Sequence, residues 1–288
     1  SATGPDLFSV QDEIARRVVN RLVSNLETAT LRRSAGKPTQ DLAAYELAMR
    51  AIARFRGYGP RSNAEAMELL KAAISRDPDY GLAHAYLALV ELADADFGSA
   101  PDHLIANCIE GASLGLLLAP EEPRCHRIMA LTRLAGRDHE AAEHHMRRAL
   151  DINPYDADTT LQMGYILSLR GRPHDGLELM DRAIAANPLH AEWYHYDRGI
   201  ALYAARDYRR SAMAFQRLPY GPERWSTLAA ALARCGDLTA ARQCVMRIRK
   251  NDPGFSPADH LRTSIEFERP EDTDHLVQGF EMAAAGCS

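Results

Sequence analysis

At 288 residues, with 46% hydrophobic and 25% charged residues and a formal net charge of −5, the chain has the make-up of an ordinary soluble protein. That balance gives no general reason to expect nucleic-acid binding, and no apolar run reaches the ~18–20 residues that a membrane-spanning helix needs. Five cysteines (Cys108, Cys125, Cys235, Cys244 and Cys287) form neither a CxxC pair nor an even framework, which points to free thiols in a reducing, cytoplasmic setting.

The chain opens on Ser1 without an initiator Met or a signal peptide, so it reads as a fragment of something longer. Residues 6–28 carry Leu7, Val10, Ile14, Val18, Leu22 and Leu26 at steps of three and four, with Asp12, Arg16, Arg17 and Arg21 opposite, and predict a strongly amphipathic helix. Residues 29–39, with Gly36 and Pro38, read as a linker, closing an N-terminal region of 1–40. A helix is expected over 41–58, broken by Gly59-Pro60. Ser62 with Glu65 then forms a capping box that opens a helix over 63–76. The next unit, 81–122, holds extra residues in ADADFGSAPD before a second helix over 102–118.

From here the chain repeats itself. Prolines 120, 154, 188 and 253 end successive units, spaced 34, 34 and 65 residues apart, and the last interval holds two units, 192–221 and 222–255. Unit 157–190 is the clearest: Leu161, Gly164 and Leu167 on a first helix, a stop at Gly171, Pro173 at the start of a second, then Gly176, Met180, Ala183 and Asn187-Pro188. Small residues at Gly164, Gly176 and Ala183 would let two helix backbones approach closely. Ala142, Met146, Ala149 and Pro154 repeat the pattern in 123–156, and Trp225, Gly236, Ala241 and Pro253 in 222–255. Gly136, Gly171, Ala205 and Gly236 mark the turns, with Asp138, Pro173, Asp207 and Asp237 starting the helices that follow. This is the tetratricopeptide pattern, in which a helix pair cannot bury its own apolar face and stacks on copies of itself. The fold expected is all-α: a right-handed tetratricopeptide-type superhelix of antiparallel helix pairs, about six units over 41–255. Residues 256–288 close it with a helix from Pro257 to about Phe267 and another from Pro270 through Ala285. Residues 252–288 hold eight Asp/Glu and two Arg, and read as an acidic cap.

Taken together, DLFSVQDEIARRVVNRL, AYELAMRAIARF and EWYHYDRGIALYAARDYRRSAMAF resemble the C-terminal repeat region of a bacterial, mainly rhizobial, group of class III adenylate cyclases; the same region follows winged-helix transcriptional regulators in related architectures. In that group the catalytic or DNA-binding domain lies upstream. The resemblance therefore implies a regulatory arm rather than an active site.

The residues themselves offer no chemistry to contradict this. His139, His144 and His145 with Glu140 and Glu143 share one helix, but without HExxH or a Cys/His ligand set they read as an exposed polar face, not a metal site. Carboxylate pairs such as Glu121-Glu122 stand at helix starts, where the helix dipole favours them. No phosphate-binding loop or nucleophile motif occurs. No catalytic residue, metal or cofactor is expected.

By family resemblance, the first helix of each unit lines a concave groove through positions 2, 5, 9, 12 and 13. The candidate lining is Arg127, Leu131, Tyr165, Ser168, Trp193, Tyr196, Tyr203 and Arg234, apolar and aromatic with arginines flanking. Such a surface suits a protein or peptide segment. The 3–4–3 spacing of Trp193, Tyr196, Ile200 and Tyr203 equally fits packing between helices. The function expected is a protein-interaction module; the alternative is a sensor in which a small apolar or aromatic molecule occupies the groove. Helix 6–28 is open to three placements: self-association into a homodimer, a cap on the first repeat, or the groove of its own chain.

Overall fold

The computed structural model describes residues 40–57, 59–218 and 221–285; the expected helix over 6–28, the linker and Cys287 lie outside them. Every element among the described residues is helical. Six antiparallel pairs run in chain order: α1 (Gln40–Phe55) with α2 (Pro60–Arg76), α3 (Gly81–Asp94) with α4 (Asp102–Leu118), α5 (Pro123–Ala135) with α6 (His139–Ile152), α7 (Ala157–Leu169) with α8 (Pro173–Ala186), α9 (Trp193–Ala204) with α10 (Tyr208–Phe215), and α11 (Pro222–Arg234) with α12 (Leu238–Asn251). A short 3-10 turn, Phe97–Ser99, interrupts the second pair, and α13 (Pro257–Thr263) and α14 (Pro270–Ala284) follow the last. Each first helix packs on its own partner, and α1, α3, α5, α7 and α9 also pack on the first helix of a neighbouring pair, while α11 meets α10 of the pair before it, giving the right-handed superhelix of a tetratricopeptide array.

Local chemistry fixes the boundaries. Asp138, Asp156, Asp207 and Asp237 each accept a backbone N–H from the first turn of the helix they cap, an interaction worth about 1 kcal/mol apiece. Three expected details differ. α2 begins at Pro60, capped by Gly59 at φ 138°, so Ser62 lies inside the helix and no capping box forms; proline's pre-set φ wins at the first position, and Glu65 pairs with Arg61 at 3.1 Å instead. α1 ends at Phe55, short of 58. α13 ends at Thr263 rather than near Phe267, because 264–269 leaves the helix and runs between other helices.

The pairs are held at two kinds of contact. In α7 and α8 the backbones touch: a Cβ added at Gly164 would stand 2.5 Å from the Gly176 carbonyl oxygen, and one at Gly176 would stand 2.3 Å from the Gly164 oxygen. Gly81 and Gly115 repeat the arrangement between α3 and α4. The second contact is layered. α7 is buried from Leu161 to Leu169 without interruption, and α11 from Trp225 to Ala233, so these helices have protein on both sides. The second helices of the pairs cover one side. The other is covered by the chain's own end: α14 packs on α11, α12 and α13, and α13 on α11 and the 97–99 turn. Leu261, Ile265, Phe267, Leu276, Val277, Phe280 and Ala283 of this end are buried in the common core.

Gly176→Ala is expected to cost about 2 kcal/mol, the usual size of overpacking against a fixed backbone, whereas Gly236→Ala, in open space at φ 92°, costs about 1 kcal/mol from the left-handed backbone alone. Calorimetric melting of the two variants checks this; equal shifts would mean that α7 and α8 are not in backbone contact.

Candidate functional site

Residues 256–275 form an arm that crosses the array and returns along the turns that link first and second helices. Its path is fixed mostly through main chain. The Arg137 guanidinium donates to the Arg262 and Thr263 carbonyls, both at 3.1 Å, and Ser99 Oγ meets Thr263 Oγ1 at 2.9 Å. The Glu266 carbonyl lies 2.6 Å from His139 Nε2, and the Glu268 N–H donates to the Leu169 carbonyl at 3.0 Å. Side chains continue the track: Arg170 binds the Glu268 carboxylate at 3.1 Å, Arg206 binds Asp272 at 2.9 Å, and Tyr208 Oη lies 2.8 Å from His275 Nε2. At the far end Tyr203 Oη and Arg234 both donate to the His275 carbonyl, at 3.1 and 3.0 Å.

Four inter-helix turns share one left-handed residue, at Arg137 (φ 58°), Gly171 (φ 78°), Arg206 (φ 65°) and Gly236 (φ 92°). Glycine is the unstrained choice there. Where arginine stands instead, in two turns of the four, its side chain grips the arm. The strain of roughly 1 kcal/mol is offset by hydrogen bonds to a charged group, worth about 1.5–3 kcal/mol. A second arginine cluster supports the row from below. The buried Glu143 carboxylate takes Arg170 at 2.5 Å, Arg172 at 2.7 Å and Arg147, and these arginines hold its pKa below the ordinary value despite its burial.

The eight expected groove residues divide under this arrangement. Tyr203 and Arg234 come together on the arm at His275. Tyr165 is buried, and burial, with the nearby Glu266 carboxyl, pushes its phenol well above the ordinary value. Leu131 is buried as well. Ser168 faces the wrong way for a groove: its hydroxyl donates to the Gly164 carbonyl at 2.8 Å and sits against Gly176 of α8, because positions four apart share one helix face. Arg127 is buried among neutral partners, Tyr86 Oη at 3.1 Å and the Gln162 amide oxygen at 3.2 Å. Trp193 and Tyr196 are half-buried, Trp193 tilted on Tyr194 and Tyr196 edge-on to Phe215 of α10. The inner wall is therefore covered rather than open. The histidine face also differs from expectation: His139 is buried under the arm, and His145 pairs Nδ1 to Nδ1 with His126 at 3.3 Å. Burial, with His126 second, pushes the His145 pKa down to about 4. Among the described residues no group of three or more His, Cys, Asp or Glu is placed to hold a metal ion.

Arg137, Arg170, Arg206 and Glu266 escaped the sequence reading, and His139 reads there only as part of an exposed face. A legible sign was present: Arg137 and Arg206 occupy the slot that sister units give to Gly171 and Gly236.

No family model matches the chain. Among curated proteins it is similar to the putative adenylate cyclase 3 of Rhizobium meliloti (strain 1021), at 30% identity over 142 residues, 48% of this chain and 24% of that protein. The chain thus spans 24% of the length of that relative, and the match is consistent with the cyclase-associated resemblance of the sequence. Among solved structures it is similar to a tetratricopeptide repeat protein from Parabacteroides merdae ATCC 43184, with a TM-score of 0.51 at 12% identity, covering 94% of this chain and 97% of that one. The APC/C hetero-tetramer Cut9-Hcn1 gives a TM-score of 0.57 at 12% identity, over 91% of this chain and 48% of that one. The tetratricopeptide architecture read from the repeats is thereby shown.

Glu266 gives the arm a pH dependence. Its carboxyl is buried, accepts one N–H from Gly98 at 3.1 Å, and makes no ion pair among the described residues. Burial raises its pKa from 4.5 to about 7; its own backbone amide, Arg137 and the Gly98 amide act downward, Asp96 upward. The neighbouring Asp197 carboxyl is raised by burial and by Glu266, so it acts in the same sense. A carboxyl raised in the folded state keeps its proton while the unfolded chain loses it, so stability falls as pH climbs from about 4.5 through about 7. Half-buried His145 and His275, both lowered to about 4, slope the other way below the ordinary histidine value. The difference between parent and Glu266→Gln isolates the carboxyl. The variant is expected to gain on the parent as pH rises from 5 to 8, by a few kcal/mol at most. Parallel melting curves across that range would refute it.

Proposed function

We propose that the chain is a non-catalytic protein-interaction and regulatory module of a larger signalling protein, which holds an extended segment of a partner against the inner side of its repeat array. The observation that carries this reading is the manner in which residues 262–269 lie there. Their peptide groups bond to Arg137, His139 and Leu169, a recognition mode that serves many sequences because it reads main chain. Tyr165, Tyr203 and Arg234 would anchor an incoming segment where they now meet the arm, and the turn arginines would supply charge. The partial match to a putative adenylate cyclase favours an output domain of that kind elsewhere in the parent protein, with this array controlling it. A small apolar ligand at Tyr165 is disfavoured, since that ring is already buried.

A cytoplasmic setting fits the free cysteines Cys108, Cys125, Cys235 and Cys244, three of them buried. Among the described residues no helix is long and apolar enough to cross a membrane. Self-association through residues 6–28 belongs to the same proposal, from their apolar stripe; light scattering on 1–288 and 35–288 should give a larger mass for the longer chain.

A displayed peptide library selected on the full chain is expected to yield ligands whose affinity drops tenfold or more in Arg170→Glu or Arg206→Glu, with the helical circular dichroism unchanged. Ligands insensitive to both substitutions, or none at all, would overturn the inner-face reading.

A further inference from the structure

We propose that residues 256–275 are an exchangeable internal ligand, and that the partner is a segment with apolar and acidic residues in alternation that takes their place. This rests on the docking function above and names the chemistry of what docks.

The arm carries the recognisable pattern itself. In Ile265-Glu266-Phe267-Glu268, Ile265 and Phe267 are buried among the helices, while Glu268 reaches Arg170. Farther on, Asp272 reaches Arg206. Apolar side chains enter the array and carboxylates meet the arginines of successive turns. The receiving side is built for this polarity: Arg137, Arg170 and Arg206 are presented from turns of three consecutive units, two of them in a left-handed backbone that glycine would adopt without strain. Between them, Gly171 leaves space that Arg269 fills, since a Cβ there would stand 2.4 Å from the guanidinium carbon.

The arm is also an imperfect occupant. Glu266 is buried with backbone N–H groups, its own and that of Gly98, as its partners and no ion pair among the described residues, an arrangement that costs stability once the group ionises. A segment with a neutral residue at that position and the same flanking pattern would bind better. The hinge permits the exchange. Asp252-Pro253-Gly254 is exposed and joins α12 to the arm, while at the other end residues 270–275 belong to α14, which packs on α11 and α12, so the arm leaves only together with the first turns of α14.

The test uses a fluorescent peptide with the sequence of residues 262–272 and the full chain carrying Ser99→Cys and Thr263→Cys. Those hydroxyl oxygens lie 2.9 Å apart, so the two side chains face each other; formation of the disulfide is checked by thiol titration before binding is measured. Oxidation locks the arm in place; reduction frees it. The reduced protein is expected to bind the peptide at least tenfold more tightly than the oxidised one. Replacing the peptide's acidic residues with Gln should weaken binding to the reduced form at least tenfold, and replacing only the residue equivalent to Glu266 should strengthen it. A second variant, Ile265→Ser with Glu268→Lys, weakens the arm without a crosslink and should bind the peptide more tightly than the parent. Equal affinity of oxidised and reduced protein, or indifference to the peptide's acidic residues, overturns the proposal. If library-selected peptides still bind through Arg170 while the lock changes nothing, the docking function stands and the exchange falls.

Discussion

The structure depends on helices that are apolar on two sides. α7 has no exposed residue between Leu161 and Leu169, so its partner α8 can satisfy only half of it. In the second helices the apolar residues keep to one stripe: in α8 only Gly176, Met180 and Ala183 are buried. The first helices thus form a middle layer that needs protein on the far side as well, with each fully buried Leu, Ile or Phe worth roughly 1.5–3 kcal/mol. A curved array of pairs leaves that far side uncovered. The chain's own end supplies the cover, the arm with Leu261, Ile265 and Phe267 and the rest of α14 with Leu276, Val277 and Phe280.

That requirement explains why the turns carry so much of the specificity. Apolar cover alone would not fix the register of an irregular segment, whose backbone must find partners for its own N–H and C=O groups. The turn residues provide them. Arg137 takes two carbonyls, His139 a third, and the Leu169 carbonyl accepts one N–H. The glycine contact between Gly164 and Gly176 serves the same end indirectly, since drawing α7 against α8 fixes where the turn at Arg170-Gly171-Arg172 is presented.

The repeat was legible in the sequence because its determinants are local and periodic: the prolines at Pro120, Pro154, Pro188 and Pro253, the glycine pair, the aspartate caps. The arm was not, because its determinants are long-range. Leu261, Ile265 and Phe267 read as a helix continuing from Pro257, and nothing within ten residues reveals that His139 and Leu169 will claim the backbone at Glu266 and Glu268. Positional rules borrowed from the fold erred in a similar way. They counted Ser168 as groove-lining, whereas its spacing of four from Gly164 puts it on the face toward α8. The aromatic spacing at Tyr203 was compatible with packing or docking, and in the structure the ring is buried while its hydroxyl donates to the His275 carbonyl of the same chain.

A cover that is also a ligand changes how the module can respond. Releasing the arm to solvent would expose its apolar residues together with the inner side of α7 and α11, at a cost exceeding the stability of many whole domains, about 5–15 kcal/mol. An empty, open array is therefore not a working state. Replacement is cheaper, because an incoming segment reburies the inner side as the arm leaves, and only the difference between the two occupants is felt. A ligand shifts such an equilibrium by no more than its differential affinity for the two states. Here that difference is concentrated in few places: the Glu266 carboxyl, buried without an ion pair among the described residues, which penalises the arm, and the link at Asp252-Pro253-Gly254, which keeps the arm close and favours its return. A partner succeeds by improving on the first by more than the tether gives back through the second.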